Sequence, residues 1–263
     1  MMVQSRSSQA FAAVARWLQS PLGQALLQRE ARVVEEALDG IFGEQCLQLG
    51  VWGEPRGFVR FARTQRCATI AHPDNVAHPD AATGFVTPDV WGQLHCLPVA
   101  TDTIDVVLLP HTLEFSDRPH AILREVQRVL RSDGHVVILG FKPGGIWGLR
   151  RLFGAGIPPG VENLISERRI ADWLQLLDMR IHRQDRYFFR WPVSGNRSLT
   201  SPDWERRGER WWPELAACYM LTAQKRLLAL TPVKKPWLAR PKVVGSLVKP
   251  TTRVIRARFD KNG

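Results

Sequence analysis

The sequence lacks most of the features that declare a chemistry outright. Its four cysteines, Cys46, Cys67, Cys96 and Cys218, stand far apart and form no C-x-x-C pair. That excludes the usual zinc frameworks and gives no pattern for a disulfide scaffold. They read as buried apolar residues of a protein in a reducing cytoplasm. No apolar run approaches the ~20 residues of a membrane span. The opening MMVQSRSSQAFAAVARWLQS holds one short apolar stretch, interrupted by charged and polar residues and followed by no cleavage site. It is expected to be a helix rather than an export signal. Acidic residues are few beside basic ones, 25 against 36, a net charge of +11. Residues 231–263 carry nine Lys or Arg against Asp260 alone, so the other 230 residues hold only +3. The basic excess therefore belongs to a proline-punctuated tail, expected to be disordered, and not to the folded part. A chain of 263 residues that is 44% hydrophobic and 23% charged has the makings of one large globular domain with additions.

What is present is concentrated between Leu97 and Phe141. Ile104–Leu109 and His135–Leu139 are short, rich in β-branched residues and flanked by turn formers, the pattern of strands buried on both faces. Between them, Ile122, Leu123, Val126, Val129 and Leu130 are spaced as one apolar helix face over Pro119–Leu130, with Asp133-Gly134 closing it. A strand, a helix and a strand in that order make a right-handed crossover in a parallel sheet, whose ligands sit at the carboxyl ends of the strands. That places Pro110, His111, Thr112, Leu113 and Glu114 at a candidate site.

The run LPVATDTIDVVLL…HTLEFSDRPHAILREVQRVLRSDGHVVI resembles the second half of a class I S-adenosylmethionine-dependent methyltransferase domain of the type 11 kind. Leu97-Pro98-Val99, Ile104-Asp105-Val106-Val107 and Arg128-Val129-Leu130…Asp133-Gly134 stand where that family has its "LPF…sFDvV" strand and "RvLkPGG" turn. The resemblance covers about 44–226 and is best from 93 to 141. It implies an α/β fold: a doubly wound, mostly parallel seven-stranded sheet with an antiparallel last strand. It divides the chain into a helical N-terminal extension (1–43), the methyltransferase-like domain (44–226) and the basic tail (227–263). It also implies S-adenosyl-L-methionine as cofactor. By position, Gly50, Trp52, Gly53, Gln93, Leu94 and His111 would bind it, and His111 and Glu114 are the candidate catalytic residues.

The glycine motif departs from the family. Gln45–Leu49, the proposed first strand, runs into LGVWGEPRG. Gly50 matches the first glycine, but Gln48 replaces the usual acid, Trp52 the second glycine and Glu54 the third. The second strand, Cys67–Ile70, ends in Ala71-His72-Pro73-Asp74, without the acid that normally binds the ribose hydroxyls unless Asp74 bends back. Gln93 has the donor and acceptor an adenine contact needs. His111 is read either as a general base, its ordinary pKa lying near operating pH, or as a histidine satisfying a buried backbone group. Glu114 is read as a ligand contact, a cap or a partner of Arg118, and Asp105 as a backbone-bonding structural residue.

Elsewhere, Ser20-Pro21 is a helix start, with Leu22, Leu26, Val33, Val34 and Leu38 inward and an end near Asp39-Gly40. Phe58–Arg63 is a short helix, and Gly84–Val86 a short strand inside a long loop. The glycine-rich GFKPGGIWGLRRLFGAGIPPG, with Phe141, Trp147 and Phe153, is either a lid over the cleft or a surface insertion. Glu167–Leu177 is a helix capped by Ser166, Met179–Phe189 a strand, and Cys218–Gln224 the last strand. Arg190–Pro213 interleaves Trp191, Trp204, Trp211 and Trp212 with arginines, to be read as packing, then as a substrate wall, then as a nucleic-acid surface. No metal ligands and no amine-methylating NPPY tetrapeptide occur to name the acceptor, and the aromatic and apolar character of the expected wall favours a small or amphipathic molecule. Two other readings stay open: a fold that has lost its cofactor and binds a partner, and a nucleic-acid-binding protein acting through its tail. A nicotinamide enzyme is disfavoured, because GVWGEP lacks the GxGxxG fingerprint.

Overall fold

The β-branched run Ile104–Pro110 is buried along nearly its whole length, and the sheet is built around it. A computed structural model of the chain describes residues 6–54, 56–73, 88–151, 158–161, 163–190, 207–208 and 210–226. Its strands are β1 (Phe42–Leu49), β2 (Arg63–Ala71), β3 (Val90–Trp91), β4 (Ile104–Pro110), β5 (Leu130–Phe141), β6 (Met179–Tyr187) and β7 (Cys218–Lys225). They form one seven-stranded sheet in the order β3-β2-β1-β4-β5-β7-β6. The first five are mutually parallel where they pair, and β7 runs antiparallel to both β5 and β6. The expected doubly wound sheet is therefore present, with β1 between β2 and β4 at the point where the strand order reverses.

Alternate residues of each strand face opposite layers. Val106 and Leu108 join Cys46, Val137 and Met220 on one face, covered by α1 (Arg6–Leu18) and α2 (Pro21–Leu38) through Val14, Leu18, Leu26, Val33, Val34 and Leu38. Val107 and Leu109 join Leu47, Val136 and Leu221 on the other, covered by α3 (Pro119–Val129) and α5 (Glu167–Leu176). A short α4 spans Ile146–Arg151. Helix α2 starts as expected: Pro21 is at its first turn and the Ser20 hydroxyl accepts the Gly23 N–H at 3.2 Å. Asp105 is structural as read, its Oδ2 accepting the N–H groups of Glu44 and Gln45 on β1 at 2.8 and 2.9 Å.

Several expected boundaries move. Helix α3 ends at Val129, and β5 begins at once at Leu130 instead of after Asp133-Gly134. The ladder from β4 jumps from Ile104↔Leu130 to Val106↔His135, so four residues of β5, 131–134, stand opposite the single Asp105 of β4. Asp133 takes the left-handed conformation (φ 69°), while a Cβ on Gly134 would lie 2.9 Å from the Arg131 carbonyl oxygen. Phe58–Arg63 gives only a 3₁₀ turn, Val59–Phe61, and β6 stops at Tyr187 because Phe188 has φ 65°. Gly84–Val86 lies outside the described residues, as does all of 191–206.

Candidate functional site

Strand β1 ends in a turn that its sequence forces. Gly50 sits at φ 87°, its N–H donating to the Ile70 carbonyl at 2.8 Å. A Cβ there would lie 2.8 Å from the Thr112 hydroxyl oxygen, and that hydroxyl donates to the Leu49 carbonyl. Only glycine satisfies both the dihedral and the space. Gln48, standing where the family has an acid, donates its Nε2 hydrogen to the Gly50 carbonyl at 3.0 Å. Among the described residues no α-helix follows: between Gly50 and β2 they make a turn closed by the Gly57 N–H on the Glu54 carbonyl at 2.9 Å and the 3₁₀ turn Val59–Phe61. Nucleotide-binding sheets ordinarily present a helix N-terminus here.

Trp52 folds inward and is 1% exposed. Its indole N–H donates to Glu30 Oε2 at 2.7 Å. The ring centroid lies 4.2 Å from that of His111, which lies 4.1 Å from that of Phe141, both pairs tilted by 32°. Phe141 continues the column to Trp147 at 5.9 Å, and Trp17 of α1 meets Trp147 edge-on at 5.6 Å. Phe141 and Trp147 are thus core residues, and Trp147 Nε1 donates to the Arg190 carbonyl at 3.0 Å.

Within this aromatic column lies a buried polar clasp. His111 Nε2 is 2.8 Å from Glu30 Oε1 and His111 Nδ1 is 2.9 Å from Glu114 Oε2. The Tyr187 hydroxyl donates to Glu30 Oε1 at 3.5 Å, and the Phe141 N–H donates to Glu114 Oε1 at 2.6 Å. Burial disfavours the His111 imidazolium, but the charge of Glu30 and the hydrogen bonds His111 donates to Glu114 and Glu30 outweigh it and raise its pKa to about 9. Burial also pushes the Glu114 carboxyl and, far more, the Tyr187 phenol upward. At neutral pH His111 is therefore an imidazolium donating from both nitrogens, with no lone pair to accept a proton from a substrate. Glu114 touches His111 and Phe141 and not Arg118.

The sequence-predicted residues divide between these environments. Gly50, Trp52, His111 and Glu114 meet at the ends of β1 and β4. Gly53 (φ 68°) lies one residue beyond, where a Cβ would be 2.8 Å from Leu27 of α2. Gln93 is exposed on the loop after β3, while Leu94 is buried in the α3 layer with Leu47 and Ile70. Asp74 lies outside the described residues. Glu30 was missed by the sequence reading, although it stands on the apolar stripe of α2 between Leu26 and Val33, and a charge there is the signal that could have found it.

These residues do not fit an adenosyl cofactor in the arrangement described. Trp52 fills the space a second glycine would leave, and Ala71, at the end of β2, is packed with Val51, Phe11 and Phe115 where a ribose-binding carboxylate would stand. Phe11 and Phe115 meet edge-on at 5.5 Å. The N-terminal helices close the cleft.

Comparison with known proteins gives the architecture its relatives. Residues 65–138 match the family model described as a methyltransferase domain. The chain is 33% identical over 170 residues to the uncharacterized protein YafS of Escherichia coli (strain K12), a match spanning 64% of this chain and 65% of that protein. Among solved structures it is similar to a S-adenosylmethionine-dependent methyltransferase from Archaeoglobus fulgidus (TM-score 0.53, 14% identity, 77% of this chain and 94% of that one). It is also similar to one from Thermotoga maritima (0.52, 17%, 76% and 92%). A third is the geranyl diphosphate C-methyltransferase of Streptomyces coelicolor, solved with S-adenosyl-L-homocysteine (0.50, 15%, 78% and 80%). At these identities the solved structures speak to the fold alone.

Proposed function

We propose that this chain, whose residues 65–138 match a methyltransferase domain, transfers a methyl group from S-adenosylmethionine to a small or amphipathic acceptor, through an open form in which α1 and α2 have released the cleft. The observation that carries this reading is the Gly50 turn. A positive-φ glycine, walled by Thr112, ends the strand at the topological switch point, where the fold admits a ligand's close approach to backbone. Gly50, Gly53, Gln93 and Leu94 would border the opened cleft. His111 and Glu114 would hold its floor, acting by position rather than by proton transfer. On the far side of Glu30, a cavity of about 640 Å³ lies between α2 and β6. Arg29, Arg183 and Arg186 line it together with Glu36 and Asp185, both paired with Arg183, over Val33 and Tyr187, a rim of mixed charge that would take the polar end of a small amphipathic acceptor.

A second reading, favoured by Trp52, is a fold that has lost its cofactor and serves as a binding protein. Calorimetric titration with S-adenosylmethionine and S-adenosylhomocysteine separates the two. The enzyme reading expects micromolar binding of either, strengthened in Glu30→Gln, because apparent affinity rises with the fraction of chains in the open form. Absence of heat at millimolar cofactor for the wild type, Glu30→Gln and Trp52→Gly alike would sink it in favour of the second.

A further inference from the structure

Cys46 and Cys67 face one another across the β1–β2 ladder as registered partners. Neighbouring strands lie about 4.8 Å apart, and residues in register on parallel strands share a face of the sheet. That separation falls within the Cα–Cα range of roughly 4.4–6.8 Å that a disulfide spans. The two thiols differ in setting. Cys46 is buried beneath α2, whereas Cys67 is partly open near the sheet's β2 side. The Cys46 S–H donates to the Cys67 sulfur. Thr64 Oγ1 lies 3.3 Å from that sulfur, and the Val59 carbonyl, 3.7 Å away, accepts the Cys67 S–H when it is protonated. Neither cysteine takes part in the clasp at the strand ends.

We propose that Cys46 and Cys67 form a redox-active dithiol, closed to a disulfide when a peroxide oxidises Cys67. The partly exposed Cys67 is the attacking sulfur and the buried Cys46 the resolving one. In the first step the Cys67 thiolate attacks one peroxide oxygen: the S–O bond forms, the O–O bond breaks, and the departing hydroxide takes up a proton to become water. The sulfur is oxidised by two electrons to sulfenic acid and the peroxide is reduced. In the second step the Cys46 sulfur, giving up its proton, attacks the Cys67 sulfur. The S–S bond forms, the S–O bond breaks, and the oxygen leaves as a second water. Two thiols and one peroxide thus become one disulfide and two waters.

The electrostatics support this division of labour. The Cys46 hydrogen bond, then the Thr64 hydroxyl and the Arg56 guanidinium, outweigh burial and lower the Cys67 thiol to about 6, while the bond to Cys67 and burial push Cys46 strongly upward. Cys96, exposed and remote in sequence, is the internal control.

The test uses the full-length reduced protein. Stoichiometric hydrogen peroxide, a quench with N-ethylmaleimide and peptide mapping should yield a Cys46–Cys67 linked peptide while Cys96 is alkylated. In Cys46→Ser the reaction should stop at a Cys67 sulfenic acid that dimedone captures. A second measurement needs no variant: iodoacetamide at pH 6 should label Cys67 several-fold faster than Cys96, and its rate should plateau at lower pH. Oxidation of Cys96 ahead of Cys67, over-oxidation of Cys67 with Cys46 still a thiol, or a Cys67 pH profile matching that of Cys96 would each overturn the proposal.

Discussion

Glu30 receives hydrogens from a tryptophan, a histidine and a tyrosine on three other segments, at complete burial. Removing one partner of a buried charge pair leaves the other uncompensated, so Glu30→Ala should cost about 3–5 kcal/mol of stability. Thermal unfolding measures it. The imidazolium sets a pH dependence. His111 titrates near 6.5 when unfolded and about 9 when folded, so its contribution is complete below 6.5 and is lost as pH rises through about 9. The difference is about 3 kcal/mol. Glu114, also raised, adds a loss in the same direction between its ordinary value and its folded one. Melting curves from pH 6 to 10 should therefore show a wild-type decline around pH 9 that is markedly smaller in His111→Gln. At this scale the sequence was half legible. His111 and Glu114 were found because they follow a recognisable strand, but their partner sits 81 residues away and no local pattern joins them. The same distance hid the pairing that turns His111 from a base into a fixed cation.

Helix α2 is the element on which the cleft turns, since its residues reach Trp52, His111 and Gly53 together. Gly53→Ala should loosen that contact twice over, through the positive φ and through collision with Leu27, at a cost of about 1–3 kcal/mol. A urea titration reads it, and the variant should also take up cofactor more readily if the open form is the binding-competent one. The α2 boundaries were plain from Ser20-Pro21 and the apolar stripe, and β4 from its β-branched run, whereas β1, which holds no β-branched residue, was placed at Gln45–Leu49, three residues short of its start at Phe42. What escaped was backbone detail that side-chain patterning does not carry. Residues 131–134 lie between two registers of the β4 ladder and pair with neither, and there Asp133 takes the left-handed conformation while Gly134 sits where a Cβ would meet the Arg131 and Ile104 carbonyl oxygens.

For the molecule as a whole, the charge asymmetry gives a prediction independent of the cleft. Removing residues 231–263 takes the net charge from +11 to +3. Binding to a single-stranded polyanion, measured by fluorescence anisotropy, should weaken steeply with salt in the full chain and largely vanish after truncation. The sheet order was legible only through the family resemblance. That two leading helices cover the cofactor side was legible only through the same resemblance, and the contacts by which they close the cleft were not, because α1 and α2 pack onto strand ends from distant parts of the chain. Strand β7, the last of the described strands, lies between β5 and β6, and β6 has no other neighbour in the described sheet. During synthesis β6 must therefore leave the ribosome without a place to bind, and β5 must wait with its apolar edge uncovered. At roughly 5–20 residues per second, translating the stretch from Tyr187 to Cys218 takes a few seconds. Through that interval the nascent chain carries an open strand edge of the kind that holding chaperones shield, and only the arrival of β7 closes it.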